Sequence, residues 1–368
     1  GRIWCDGAPL TAGSIGGHGT RGDDQRDEPM TQPPVPPAAG PPWPNNSAPL
    51  PPTRPPRPKR TPWIILGGAL VVVIALVVGI VLWKSGSSGN AGDSSNTAGG
   101  GGDRTVGLLR EEDPVCADWL KYADELAEKT KDWSEIDKAI PASAWTPQQK
   151  AIVDDAVGAI TTAADRFESI LPNAKNVVLQ ELIAQTVVYW RAYLEKVPNY
   201  IEADSLISGV AGNFGNAVNY MCGSVLLIAS NFSVVQQTSS NGDPSRLVPL
   251  MRNGDGSCGA FKEVTDERDL LLGGWLYTDP AIPASDWSNE QREVNMAAKE
   301  VLSKLKDKVL QIARRDKNPV FSDLLVTYSA YIAAYAEIIP RYKPDDNQLW
   351  RASIAISGGL NAACEASL

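Results

Sequence analysis

The sequence predicts an all-α protein with a single transmembrane helix followed by two tandem homologous four-helix bundles, each closed by one disulfide. Three observations support this fold class. Residues 63–83 form an uncharged apolar run, residues 104–222 recur as residues 246–364, and apolar residues within each copy recur at helical spacing. With 368 residues, 43% of them hydrophobic, the chain is long enough for two or three domains.

Residues 63–83 predict the membrane span. At 1.5 Å per residue the run is about 31 Å long, which matches a hydrocarbon core of about 30 Å. Trp63 and Trp83 bracket it, as aromatic residues do at membrane interfaces. The alternative is a buried helix of a soluble core, although a soluble helix that is apolar on every face is rare.

The flanking charges predict the orientation of the span. Four basic residues precede it, whereas Lys84 is alone on the other side until Arg104. By the positive-inside rule, the N-terminus is cytoplasmic and the C-terminal domain is extracytoplasmic, anchored in the cell membrane. A cleaved signal peptide is disfavoured because the apolar run is long and no Ala-x-Ala-like cleavage site follows it.

The segments around the span are predicted to be disordered. Residues 1–62 form a Pro-rich cytoplasmic tail, which is either an inert spacer or a docking strip for a cytoplasmic partner. Met30 opens the Pro-rich part, and we expect translation to start there, with residues 1–29 lying upstream of the true start. Residues 84–103 form a Gly/Ser linker that spans about 24 Å as a random coil.

The duplication defines the rest of the chain. The two copies align without a gap at a constant offset of 142, and about a quarter of the positions are identical. We assign residues 104–222 to helical repeat 1 and residues 246–368 to helical repeat 2. The connector, residues 223–245, contains apolar positions, so it either extends the last helix or packs across both bundles.

Each copy is predicted to contain four helices. A capping box starts the second helix of each copy, formed by Thr146 with Gln149 and by Ser288 with Gln291. Short connections between helices of similar length favour antiparallel packing. In repeat 1 the predicted helices cover approximately residues 114–131, 146–171, 174–197 and 204–222.

The cysteines of the repeats predict two disulfides, although four cysteines allow three pairings. The start of the first helix and the end of the fourth lie at the same end of an up-down-up-down bundle. We therefore pair Cys116 with Cys222 and Cys258 with Cys364, with free buried thiols as the alternative. Each bridge is worth up to roughly 4.7 kcal/mol in the chain-entropy model. Disulfides require an oxidising compartment, in agreement with the predicted topology.

Histidine and charge content exclude several classes of function. His18 is the one histidine of the sequence, so residues 19–368 cannot form a Ser-His-Asp triad or a His-ligated metal site. The formal net charge of −9 argues against nucleic-acid binding. We expect no catalytic residues, cofactor or metal.

Aromatic residues that occur in both copies are the candidate binding residues, with core packing as the alternative. They could line a loop pocket or a groove between helices. They are Trp145 and Trp287 in the Ile-Pro-Ala-Ser-x-Trp loops, and the helical pairs Tyr189 with Tyr193 and Tyr331 with Tyr335.

Acidic residues shared by both copies raise a catalytic alternative, because two carboxylates about 5–10 Å apart in a cleft can hydrolyse glycosides. A further alternative is a lipid carrier, which requires an apolar cavity inside a bundle. The shared acids of repeat 1 are Asp113, Asp124, Glu125, Asp137, Asp165, Glu195 and Asp204.

The Pro-rich start MTQPPVPPAAGPPWP, the basic PRPKR segment and the Val/Ala-rich span precede a helical part with paired cysteines. This layout resembles single-pass envelope proteins of actinobacteria, particularly mycobacteria. The resemblance covers mainly residues 30–84 and carries no functional residue to this chain. We expect a non-enzymatic, membrane-anchored binding or scaffolding protein of the cell envelope. Its expected partner is another envelope protein, or an envelope lipid or glycan.

Overall fold

The computed structural model describes residues 104–228, 232, 234, 236–239, 241–251 and 257–366, which belong to one compact unit. The predicted span, the N-terminal tail and the Gly/Ser linker lie outside these residues. Within the described part of the chain, no helix combines the length and apolar character that crossing a membrane requires.

Repeat 1 begins with a short strand and continues as helices. Thr146 starts α3 as the predicted capping box, and the Asn176 carboxamide accepts hydrogen bonds from the first amides of α4. The elements are β1 (Thr105–Val106), α1 (Val115–Lys129), α2 (Lys131–Ser134), α3 (Pro147–Ile170), α4 (Val177–Lys196) and α5 (Ser205–Ile228).

Repeat 2 has the same succession of long helices. Ser288 forms the second predicted capping box, and Asn318 caps the following helix as Asn176 does in repeat 1. A two-residue strand precedes this repeat. The elements are β2 (Gln237–Thr238), α6 (Ser257–Leu272), α7 (Asn289–Ala313), α8 (Pro319–Ile338) and α9 (Asn347–Glu365).

The four long helices of each repeat pack in a closed ring, in the order α1, α3, α4, α5 in repeat 1 and α6, α7, α8, α9 in repeat 2. Large aromatic residues fill the interior; in repeat 1, for example, Trp119 stacks on Phe167 with ring centroids 4.1 Å apart. The predicted all-α class is confirmed.

Both predicted disulfides are present. Cys116 is joined to Cys222 and Cys258 to Cys364, with Cα–Cα distances of 5.5 and 5.6 Å that suit an unstrained bridge. Each disulfide ties the start of the first helix of a repeat to its last helix. The covalent link therefore closes each ring separately and does not join the two repeats.

The repeats are joined by an antiparallel pair of helices, α5 and α9, which form the largest helix–helix contact of the described residues. Gly209 lies 4.0 Å from the Ala362 Cβ, measured from an ideal Cβ on the glycine. The Arg351 guanidinium lies 5.8 Å from the centroid of the Tyr220 ring. Residues 209 and 351 are equivalent by the offset of 142, as are 220 and 362, so the two contacts are related by an approximate two-fold axis.

Each repeat also binds the leading segment of the other. The Leu109 amide of repeat 1 donates to the Tyr331 hydroxyl of repeat 2 at 3.4 Å, and the equivalent Met251 amide donates to the equivalent Tyr189 hydroxyl at 3.3 Å. The sequence suggested two alternatives for the connector, and the structure combines them. Helix α5 continues past Cys222, and β2 then pairs with β1 in an antiparallel ribbon.

We expect Gly359→Ala to destabilise the fold, because a Cβ at this buried position would lie 2.4 Å from the Phe214 ring of α5. Overpacking of this kind costs about 1–3 kcal/mol. Gly212→Ala is the matched control, since nothing lies within 4 Å of a Cβ there and alanine favours a helix. Urea unfolding should separate the two variants, and equal midpoints would contradict the proposed close packing.

Candidate functional site

The end of α6 and the turn that follows expose a set of large apolar side chains. Leu270, Leu271, Leu276 and Tyr277 are 81, 55, 48 and 92% exposed. We call residues 270–277 the apolar tip. Single exposed apolar residues are ordinary, but several within eight positions indicate an interaction surface.

Trp275 holds the apolar tip against the bundle. Its side chain is buried, its indole Nε1 donates to Asn295 Oδ1 at 2.8 Å, and its ring packs edge-on against Trp350 at 4.9 Å. Trp275 is the first residue of a short 3-10 helix, Trp275–Tyr277. Because the indole points inward, the next two side chains are left on the outside.

The equivalent segment of repeat 1, residues 128–135, also contains a buried tryptophan but forms a short α-helix, Lys131–Ser134, and has a different surface. Trp133 occupies the position of Trp275 and is also buried, against Trp190 and Tyr193. The positions of the four exposed apolar residues are taken by Glu128, Lys129, Ser134 and Glu135. We call this segment the polar tip. The fold therefore does not require apolar residues on this surface.

The flanks of the apolar tip are acidic. Asp269 precedes it and is exposed, and Asp279 follows it and accepts a hydrogen bond from the Ala281 amide at 2.8 Å. The neighbouring cation, Arg268, is buried and donates to Asp269, Tyr328 and Ser357. The apolar tip is thus bracketed in sequence by two exposed acids, of which Asp269 is paired with Arg268.

The two loop tryptophans take part in packing at the start of α3 and α7. The Trp145 ring stacks on Tyr200 at 5.8 Å, and the Trp287 ring stacks on Tyr342 at 6.0 Å. Each indole Nε1 donates at 3.0 Å to a backbone carbonyl five residues earlier. These contacts explain why both copies keep the loop, and a binding role for either tryptophan stays a prediction.

The four candidate tyrosines are buried. Tyr193 packs on Trp133, and Tyr335 packs on Trp275 and Trp350. Burial raises the pKa of both Tyr189 and Tyr331 to about 12, so their hydroxyls stay protonated while they accept the cross-repeat amide bonds. The structure brings these tyrosines into the interior, and a ligand-binding role for them also stays a prediction.

A buried pair of acids lies where α4 approaches α8. Glu181 is fully buried and Asp323 is 4% exposed, and each carboxyl group affects the pKa of the other. Asn241 Nδ2 donates to Glu181 at 3.0 Å, and the Ser239 hydroxyl donates to Asp323 at 2.5 Å. We call these two residues the acid pair. No sequence pattern considered above identified them.

Comparison with known proteins identifies the family. The family described as mycobacterial ESX-1 associated protein matches residues 90–226 and again residues 224–368. These matches cover well over half of the chain. The chain belongs to this family.

The ESX-1 associated family matches once on each repeat, so one family unit corresponds to one repeat, with the connector assigned mainly to the second. An uncharacterized protein of Mycolicibacterium smegmatis (strain MKD8) is 26% identical over 340 residues, which cover 87% of this chain and 90% of that protein. No solved structure shows significant similarity to the chain.

Several of the acids shared by both repeats stabilise turns or form ion pairs. Asp113 accepts hydrogen bonds from the Val115, Lys175 and Asn176 amides, and Asp204 accepts one from the Ile201 amide. Ion pairs join Glu125 to Arg166, Asp165 to Arg191, Asp266 to Lys262 and Glu267 to Lys308. Among the described residues these acids do not converge on a common cleft.

A different signal could have identified the acid pair. Positions 181 and 323 are equivalent by the offset of 142, but one is Glu and the other Asp, so a search for identical residues passes over them. Each lies in the first half of its helix, among mainly apolar residues. An acid at the same position of two mainly apolar helical segments is the relevant pattern, because burying a charge is costly unless it is paired or neutralised.

We expect Tyr189→Phe and Tyr331→Phe to destabilise the protein by similar amounts, about 1–3 kcal/mol each, because each leaves a buried backbone amide without its acceptor. Tyr277→Phe is the control, since that hydroxyl is on an exposed side chain. Chemical unfolding followed by tryptophan fluorescence measures the change. A loss for only one of the two variants would argue against the approximate two-fold arrangement.

Proposed function

We propose that this protein is a non-enzymatic, membrane-anchored binding or scaffolding protein of the cell envelope that works in association with the ESX-1 secretion system. Its family name supports the association with ESX-1. The apolar tip carries the proposal for binding, because the equivalent positions of repeat 1, beside an equivalent buried tryptophan, are polar or charged. Exposed apolar side chains that the fold does not need are best explained by a partner that covers them.

The chemistry of the apolar tip favours a protein partner. Leucine and tyrosine side chains form the centre, and Asp269 and Asp279 lie on either side in sequence. A complementary partner surface has apolar residues at its centre and basic residues at its rim. Anionic lipid is the less favoured partner, because residues 85–368 carry a net charge of −12 and would be repelled by it.

Three observations support the proposed membrane anchor and an extracytoplasmic position for the repeats. The uncharged run at residues 63–83 has the length of a bilayer span, and basic residues precede it. Both repeats carry disulfides, which persist in oxidising compartments. The similarity to the M. smegmatis protein covers 87% of this chain and therefore extends into residues 1–103.

A photo-activated crosslinker placed at Tyr277 in living mycobacterial cells should capture a protein partner, because this side chain is 92% exposed at the centre of the apolar tip. The same crosslinker at Glu135, the equivalent position of the polar tip, should capture much less. Mass spectrometry of the crosslinked products then tests whether the partner is a component of the ESX-1 system.

Replacing Leu270, Leu271, Leu276 and Tyr277 by the residues of the polar tip should abolish capture from a crosslinker at Gly274 and leave thermal stability unchanged, since all four side chains are exposed. Equal capture from both tips would contradict the proposal, as would capture of lipid instead of protein. A product that contains two copies of this chain would assign the apolar tip to self-association instead.

The proposed topology predicts the activity of reporter fusions. Bacterial alkaline phosphatase, which requires disulfide formation, should be active when fused after residue 366 and inactive when fused after residue 62. The reason is that the two fusion points lie on opposite sides of the predicted span. Activity at both positions, or at neither, would rule out a single span with a cytoplasmic N-terminus.

A further inference from the structure

The acid pair lies on the approximate two-fold axis that relates the repeats. Glu181 in α4 and Asp323 in α8 occupy equivalent positions, so the two-fold arrangement brings one acid from each repeat to the same place. Both side chains are buried, and α4 and α8 contact each other directly. This inference is independent of the function proposed above.

Two described residues of the connector, Ser239 and Asn241, are bonded to the two acids. Asn241 donates to Glu181 of repeat 1, and Ser239 donates to Asp323 of repeat 2. The Asn241 amide in turn donates to the Ser239 hydroxyl at 3.0 Å, so the two bonds are linked. The acid pair is therefore the point at which the connector is attached to both repeats.

One oxygen of the pair lacks a donor. Glu181 Oε2 is buried and receives no hydrogen bond from a fixed donor among the described residues, while the Asp323 carboxyl group faces Glu181. Two ionised carboxylates that are buried next to each other would repel each other strongly. If one carboxyl group holds a proton, that proton forms a hydrogen bond between them and supplies the missing donor.

The neighbouring charges do not replace this proton. From the strand side, the charged group that acts on both acids is Arg104, whose guanidinium donates to the backbone carbonyls of Ser239 and Asn241. From the helix side, each acid faces the other. The described connector residues around the pair, Ser239 and Asn241, do not titrate. One cation that is already bound to carbonyl groups cannot neutralise two buried carboxylates.

We propose that Glu181 and Asp323 hold one shared proton, and that this proton keeps Ser239 and Asn241 of the connector attached to both repeats. When the proton is present, the carboxyl–carboxyl hydrogen bond keeps α4, α8 and the connector together. When it is lost, two negative charges face each other and the connector bonds weaken. The site is thus a proton-binding site that couples the two repeats.

The direction of the pH dependence follows from burial. Burial, together with the charge of Asp323, raises the pKa of Glu181 well above its usual value, against the opposing effects of Asn241 and Arg104. Burial also raises the pKa of Asp323, against the opposing effects of Ser239, Glu181 and Arg104. The folded protein therefore binds more protons than the unfolded chain. The stabilisation that this pair contributes is fully present below the ordinary carboxyl pKa of 4.5 and is lost as pH rises through the raised pKa.

The test compares the full chain with its Glu181→Gln variant. The glutamine carbonyl can still accept from Asn241, and its amide can donate to Asp323 as the shared proton would. The quantity to measure is the equilibrium constant of unfolding at each pH. The ratio of this constant in the unaltered protein to that in the variant should rise about tenfold per pH unit, from pH 4.5 up to the raised pKa of the pair. Exchange of the Ser239 and Asn241 amides should show the same difference, because both residues are bonded to the acid pair.

Glu195→Gln, an exposed substitution on the same helix, is the control and should leave both pH profiles unchanged. If Glu181→Gln does not fold, Asp323→Asn gives the same test, because its amide can donate to Glu181. The proposal would be overturned if the folded variant and the unaltered protein had the same pH profiles of unfolding and of amide exchange. Failure of both variants to fold would also overturn it, since an amide would then not replace the proton.

Discussion

The structure depends on the antiparallel packing of α5 against α9. Each disulfide closes its own repeat, so neither of these two bridges ties one repeat to the other. The repeats are joined instead because small residues let the last helices approach closely; at Gly359 there is no room for a side chain beside Phe214. That contact sets the approximate two-fold axis, and the axis determines which residues of the two repeats meet.

The axis explains the polar interior of the interface. Equivalent residues of the two copies face each other across it or make reciprocal contacts, so Tyr189 and Tyr331 each bind the leading segment of the other repeat. The same rule brings Glu181 and Asp323 together, and a single acid in the ancestral copy would have met its own duplicate there. The outer surfaces are under no such constraint. The polar tip and the apolar tip accordingly differ in sequence, and large exposed apolar side chains occur in the apolar tip.

Much of the fold could be predicted, and less of the candidate site. The capping boxes at Thr146 and Ser288 are local patterns, so they predicted the start of α3 and α7. The disulfides were predicted from the duplication, because each copy holds one cysteine near either end. The aromatic and acidic residues shared by both copies were the natural candidates for a site, yet they pack the core or stabilise turns. Residues that occur in both copies are therefore mainly those that each copy needs in order to fold. The apolar tip was missed because its residues differ between the copies, and exposure cannot be read from residue type alone.

The amino-acid sequence by itself determined the duplication, the helical class, the pairing of the cysteines and the expectation of a membrane span, because each rests on periodicity, composition or an offset along the chain. Only the tertiary structure decided how the two repeats meet, which leucines remain exposed, and that two acids share one buried site. These properties depend on how helices that are distant in sequence pack against each other. Such contacts arise from the close packing of helix surfaces, which no local pattern in the sequence encodes.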